Sequence, residues 1–429
     1  MRKFFISISL LFVPFLFYAQ DLNYAKDIIQ QLASPGFKGR GYVESGEKIA
    51  AEFIKAEYEK IGLEPFGADY FQNFTVDVNT FPADLYFKTN QVILEPGKDF
   101  LIEPLSPSIE GTFKTYMVKK QDLTDDQKIN EIIQSSVNKI LVIDEREYTS
   151  TNPEEKKKLN GVIATLKYNP QIKTLGTIIL TNDKLTWGAS TKQGIKPILI
   201  VKKEKDFQIG KKVELKIDAE YIRNYKTQNI IGFIKGQEVP DSFLVLTAHY
   251  DHLGKLGKNE YIPGANDNAS GVAMLLNQAK YFKEHPPKYS IAFICLGAEE
   301  LGILGAKYYT ENPLFDLNSI KFLVNFDLAG TGEEGIKVVN ATVFNTEFTI
   351  LKELNQANDY LVDVQSRGAA CNSDHCMFYN KEVPCFYIYT MGGIQAYHDI
   401  YDRSDTLPLT EFEDYAQLMI DFFESFSTR

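Results

Sequence analysis

The chain has 429 residues, 44% of them hydrophobic and 24% charged, an ordinary globular composition that excludes a disordered, collagenous or coiled-coil protein and leaves room for more than one domain. Its 57 acidic residues outnumber 46 basic ones for a formal charge of −11, so no net field draws it to nucleic acid or to an anionic membrane surface. Four cysteines in this length are too few for a disulfide scaffold.

At the start, Arg2 and Lys3 precede an uncharged apolar run from Phe4 to Phe17, closed by Tyr18-Ala19-Gln20. This is the pattern of a secretory signal peptide over residues 1–20, cleaved around Ala19 or Gln20. The run is shorter than the ~20 residues of a bilayer span, and Pro14 interrupts it. The mature protein is therefore expected to be secreted or periplasmic, with no stable membrane association. From Asp21 to about Asn79 the spacing predicts helices, with Ile28, Ile29 and Leu32 on one face, Ile49, Phe53, Ile54 and Ile61 on another, and Ser45 as an N-cap. Between about Phe81 and Ile222 short β-type runs take over, at Lys139–Asp144, Thr177–Leu180 and Ile198–Val201, and predict an inserted β-rich lobe. That lobe holds the only tryptophan, Trp187, and no histidine.

After Asn224 the text alternates between strands and helices. Strands are predicted at Phe243–Ala248, Ile291–Leu296, Phe322–Phe326 and Pro384–Tyr389, and helices at Ala269–His285 and Leu301–Asn312, each stopped by proline. The expected fold class is α/β, a central mixed, mostly parallel sheet with helices on both faces plus the inserted lobe. The expected division is 21–80 with 223–429 as one catalytic domain and 81–222 as the insert.

All five histidines lie at or after position 249, and each predicted strand runs into charged side chains at its C-terminal end, the edge where open α/β sheets bind ligands. The first strand empties into His249-Tyr250-Asp251-His252, where Asp251 is placed either to orient His249 or to steer nearby backbone. In Pro263–Gly271, Asn268 and Ser270 are both competent to cap the next helix, which leaves Asp267 to point elsewhere. Glu299 and Glu300 stand side by side at a strand mouth, a costly pairing unless a cation compensates one of them. Asp327 directly follows an apolar strand, and His398 opens the last polar loop. Together His249, Asp267, Glu300, Asp327 and His398 make two imidazoles and three carboxylates without thiolate, a donor set for Zn²⁺, with Mn²⁺ or Co²⁺ as alternatives. Five protein ligands exceed the need of one open catalytic zinc and suit two ions that share a carboxylate.

These residues resemble the co-catalytic zinc aminopeptidases, a family that also includes glutamate carboxypeptidases and glutaminyl cyclases. The motifs that carry the likeness are His249-x-Asp251, Gly264-x-Asn266-Asp267-Asn268-x-x-Gly271, Gly297-Ala298-Glu299-Glu300-Leu301-Gly302, Asn325-x-Asp327, Ser373-Asp374-His375 and Tyr397-His398. Near the N-terminus, Gly39-Arg40 and Ile61-Gly62-Leu63 add to it. The resemblance implies a phosphorylase/hydrolase-like sandwich and two Zn²⁺ ions bridged by Asp267. His249 and Asp327 would complete one position, Glu300 and His398 the other. Glu299 would be the general base and Asp251 the residue that orients His249. It also implies peptide substrates cleaved at the N-terminal residue, and the inserted lobe resembles a protease-associated domain. Of the three pairings open to four cysteines, Cys371–Cys376 is the one expected, on the oxidising destination and on the cystine that some secreted members carry in this vicinity. Cys295 and Cys385 are expected as buried thiols, and His252 and His375 as structural or supporting imidazoles. The competing readings are a single-zinc glutaminyl cyclase, a carboxypeptidase-type exopeptidase, and a non-catalytic peptide-binding module. A serine or cysteine hydrolase is unsupported, as no Gly-x-Ser-x-Gly elbow occurs. Composition and motifs say nothing of oligomeric state.

Overall fold

The structure, a computed structural model, describes residues 21–146 and 151–428. The expected signal peptide at 1–20 lies outside the described residues. No helix among the described residues is long and apolar enough to cross a membrane.

The four strands predicted after Asn224 join four others in an eight-stranded sheet in the order Phe71–Thr80, Glu220–Ile234, Tyr289–Leu296, Val239–His249, Ile320–Phe326, Cys385–Thr390, Ile336–Val339, Val364–Ser366. Phe71–Thr80 corrects the expectation of helix up to about Asn79, because its alternating Phe74, Val76 and Val78 are buried in strand pairing with Glu220–Ile234. Its four central strands, from Tyr289–Leu296 to Cys385–Thr390, are mutually parallel, and the long Glu220–Ile234 strand pairs antiparallel on one flank. Strands buried on both faces read as continuous apolar runs, because helices cover each side. Leu244, Leu246, Ala248, Phe293 and Val324 face the helices Leu22–Leu32, Gly46–Ile61, Gly271–Glu284 and Phe412–Glu424. Their neighbours Val245, Ala292, Ile294 and Leu323 face the opposite side, against Ala306 and Tyr309 of the helix Leu304–Glu311. The chain is thus an α/β sandwich with a mixed sheet.

Two further local expectations are corrected. Ser45 does occupy the position before the helix Gly46–Ile61, but at φ 57 and ψ 36 its side chain caps nothing, and the Glu47 N–H donates to Gly41 O instead. On that helix Ala50, Ile54 and Tyr58 form the buried stripe, whereas Ile49 is 40% exposed because it sits about 100° round the axis from Ala50.

A second eight-stranded sheet, built from strands between Leu85 and Ile217, runs parallel through its centre at Ile109–Lys119, Ile140–Asp144, Gly176–Thr181 and Ile198–Lys202. It carries two helices that the sequence reading did not anticipate, Asp126–Ser135 and Pro153–Tyr168. The second buries only Leu159, Ile163 and Leu166 in a lysine- and glutamate-rich segment, so its apolar stripe is too thin to stand out from a loop. Cys371 and Cys376 are joined as a disulfide, and Cys295 and Cys385 are buried free thiols.

Candidate metal centre

Because the central strands are parallel, their C-terminal ends open on one edge, and each delivers a polar side chain there. His249 ends one strand, Glu299 and Glu300 follow the next, and Asp327 follows a third. Asp267 arrives from the turn that starts the helix Gly271–Glu284, and His398 from the loop after Cys385–Thr390. The contacts centre on Asp267. Its Oδ1 is 3.3 Å from His249 Nε2, which is 3.5 Å from Asp327 Oδ1. Its Oδ2 is 3.0 Å from His398 Nε2, which is 3.3 Å from Glu300 Oε2. The structure therefore brings all five sequence-predicted residues together as two triads that share one carboxylate.

Spacings of about 3.3–3.5 Å are the edge length of a tetrahedron with ~2.0–2.1 Å metal–ligand bonds. His249, Asp267 and Asp327 converge closely enough to hold one ion, and Asp327 Oδ1 is buried without a hydrogen-bond donor. The electrostatics ask for cations. Burial opposes a charged imidazole at His249, but the Asp327 and Glu299 carboxylates outweigh it and hold the group well above its ordinary value. Burial likewise opposes charge on His398, yet Glu300 and Asp267 raise it to about 11. Protons on these two imidazoles occupy the place where divalent ions would satisfy the same carboxylates, so the donor set fits zinc.

Glu299 stands outside both triads and lines the cavity above them, a space of about 460 Å³. Burial pushes its carboxyl well above the usual range; His249 opposes this, while Asp374, Glu300 and Asp327 add to it. Asp251 shows the second of its two sequence-level options. Its carboxylate accepts the backbone N–H of Glu299 at 3.0 Å and of Glu300 at 3.4 Å, while its backbone carbonyl, rather than its side chain, lies 3.2 Å from His249 Nδ1. It thereby fixes the point from which both glutamates leave the main chain.

Several further residues support the centre, among them His252, expected as a structural or supporting imidazole, and Asn268, expected as one of two candidate caps. Burial keeps His252 below its ordinary value, hence neutral, and its Nδ1–H points at Glu300 Oε1 across 2.7 Å. The fully buried Asp402 accepts the backbone N–H groups of Asn266 at 2.8 Å and Asp267 at 3.0 Å. Asn268 does cap, accepting the Gly271 N–H at 3.0 Å, so the turn aims Asp267 outward. Arg40 is completely buried and donates to five carbonyls, those of Leu32, Tyr250, Pro263, Gly264 and Asp267, at 2.7–3.1 Å. The only sequence signal for Asp402 was a carboxylate four residues after His398, whereas Arg40 belonged to the Gly39-Arg40 pair that adds to the resemblance, without a stated task.

Gly264 makes this approach possible. At φ +61 a Cβ would come within 2.1 Å of Asp267 O, 2.4 Å of His252 Cδ2 and 2.7 Å of Arg40 Nη2. Gly264→Ala is expected to cost on the order of 2–4 kcal/mol from the left-handed backbone and the overpacking together. A lower urea midpoint and a reduced zinc content per chain would register it.

The profile of peptidase family M28 matches residues 229–423. Aminopeptidase YwaD of Bacillus subtilis (strain 168) is 30% identical over 199 residues, which cover 46% of this chain and 42% of YwaD. Aminopeptidase Y of Saccharomyces cerevisiae is 31% identical over 147 residues, covering 32% of this chain and 26% of that protein. The match thus spans less than half the length of these curated relatives. In fold, the chain is similar to BSAP, a zinc aminopeptidase from Bacillus subtilis, with a TM-score of 0.67 at 21% identity over 94% of each chain. It is also similar to a peptidase M28 precursor from Shewanella amazonensis SB2B, with a TM-score of 0.69 at 17% identity over 95% of this chain and 93% of that one. The match to the peptidase family M28 profile covers the strand ends and loops that form both triads, and the chain shares the fold of these two solved structures.

Proposed function

We propose that the protein is a dinuclear zinc aminopeptidase that removes N-terminal residues from peptides outside the cytoplasm, after loss of residues 1–20. The observation that carries this reading is the pair of triads meeting at Asp267, with an unshared glutamate beside them. His249 and Asp327 would hold one Zn²⁺, Glu300 and His398 the other, with Asp267 between them. When bound, zinc supplies Lewis acidity, polarising the scissile carbonyl and bringing the pKa of the attacking water toward ~7.

The protein's own part is positioning and proton transfer. Glu299 accepts the proton that the water gives up as its oxygen bonds to the amide carbon. It returns that proton to the nitrogen as the C–N bond breaks, so a free amine leaves. Burial raises the basicity of this carboxylate, and Asp251 keeps its main chain in place. The buried His252 offsets the charge of Glu300, and Asp402 fixes the turn that presents Asp267 by accepting its backbone N–H and that of Asn266. The division into a catalytic body, 21–80 with 223–429, and a protease-associated-type insert at 81–222 belongs to the same reading.

The test is hydrolysis of a panel of aminoacyl chromogenic amides before and after treatment with a zinc chelator. Activity is expected to vanish on chelation and to return with added Zn²⁺, at two equivalents per chain. Chelator-insensitive activity, or none on any substrate of the panel with zinc bound, would overturn the assignment.

A further inference from the structure

The segment Met391–Glu411, which carries His398, contains neither helix nor strand. His398 itself lies at φ 53, a left-handed conformation that a side chain other than glycine keeps only where its surroundings hold it. Those surroundings come from the second sheet's lobe. The Trp187 N–H donates to His398 O at 2.9 Å, and His398 Nδ1 lies 3.0 Å from Trp187 O. A carbonyl only accepts, so Nδ1 carries a proton in either charge state, and Nε2 is the nitrogen left to offer a lone pair when the ring is neutral. Trp187 is itself anchored, with its indole N–H on Ile102 O at 2.8 Å and its ring in the core of the lobe.

One side chain from the same segment grips the loop on both sides of His398. Lys184 Nζ donates to Gln395 O at 2.6 Å, to Tyr397 O at 3.0 Å and to Asp399 Oδ2 at 2.8 Å. An ammonium has three donors, and all three are engaged within the five loop residues 395–399. Asp399 is nearly buried and also accepts the Tyr401 N–H at 2.8 Å, so the clamp closes on a fixed point. Lys184 contacts neither the triads nor Glu299, and it acts on them only through the loop.

We propose that Lys184 is a positioning residue of the metal centre: by clamping residues 395–399 it holds His398 Nε2 against Asp267 and Glu300, so that the inserted lobe governs cation occupancy at that position. The inference rests on the reading of His398 as a metal ligand. It makes the lobe a working part of the centre rather than an appendage, coupling a segment more than 200 residues away in sequence to one of two ions.

The experiment compares the intact protein with Lys184→Met, Lys184→Gln and His398→Asn. Each is stripped with chelator and dialysed against zinc buffered over a range of free concentrations, and bound zinc per chain is measured by mass spectrometry. The intact protein is expected to load two equivalents and His398→Asn one. Lys184→Met is expected to take its second equivalent about 10–100-fold more weakly, the usual penalty for losing an outer hydrogen-bonding partner of a metal ligand, with the first equivalent unchanged. The Lys184 side chain is 41% exposed, so the fold is expected to survive, and Lys184→Gln serves as the gentler variant. Folded Lys184 variants with an unaltered second step would overturn the inference alone. Retention of two tight equivalents by His398→Asn would overturn the reading of His398 and the inference with it.

Discussion

Replacing Glu299 by Gln is expected to lower kcat by about 10²–10⁴-fold, the range supplied by a positioned general base, while two zinc equivalents stay bound. The amide keeps the shape of the carboxylate and its place in the cavity but cannot take up a proton at neutral pH. The separation of effects follows from geometry, since Glu299 lies outside both triads while its neighbour Glu300 sits 3.3 Å from His398 Nε2. Glu300→Gln should therefore behave differently, losing zinc as well as rate. Parallel measurements of kcat on a chromogenic amide and of metal content per chain check the pair. A Glu299→Gln enzyme that turns over at near-normal rate would end the assignment of the base. Loss of its zinc would show that the residue is a ligand instead.

The largest effect on stability is expected at Arg40. Its guanidinium is fully buried and satisfies five backbone carbonyls drawn from three separate stretches of chain. Burial lowers its pKa to about 10, with Asp267, Asp402, Asp251 and Glu300 opposing that fall, so it stays charged at neutral pH. Arg40→Met fills much of the volume but strands those carbonyls, each orphaned acceptor costing about 1–3 kcal/mol. Some of that is recovered by relaxation and water entry, and a net loss on the order of 5 kcal/mol is expected. Arg40→Lys should recover only part, because three donors on a point charge cannot reach five acceptors set around a planar fork. Urea unfolding gives the stability, and zinc titration of the folded fraction shows whether the Pro263–Asp267 turn still presents its carboxylate. An Arg40→Met protein as stable as the parent would refute this account of how the turn is held.

The five residues of the triads stood out in the sequence because each is a polar group placed directly after an apolar run or inside a tight small-residue turn. Burial makes such a residue conspicuous, and parallel strands make their ends coincide. Helix boundaries were less legible. Ile49 shows that an apolar residue one position off the stripe is indistinguishable in sequence from one on it, and Pro153–Tyr168 shows a helix concealed by its own charge. Asp251 was readable as a partner of the site with two open tasks, and the sequence left the choice unmade, since whether a carboxylate meets a ring nitrogen or two backbone amides depends on the path of the loop.

From the sequence alone came the alternation of strand and helix, the sheet edge on which the chemistry gathers, and the donor types present there. All of these are local patterns, because hydrophobic spacing records which positions are buried within one element. The tertiary structure alone decided that Arg40, Asp402, Trp187 and Lys184 support the centre, and that His252, expected in a structural or supporting role, does so through Glu300. Most of their partners lie more than a hundred positions away and are backbone amides or carbonyls, groups that every residue carries alike. A hydrogen bond to such a group leaves no mark on composition or periodicity, so it becomes visible only when the chain has closed upon itself.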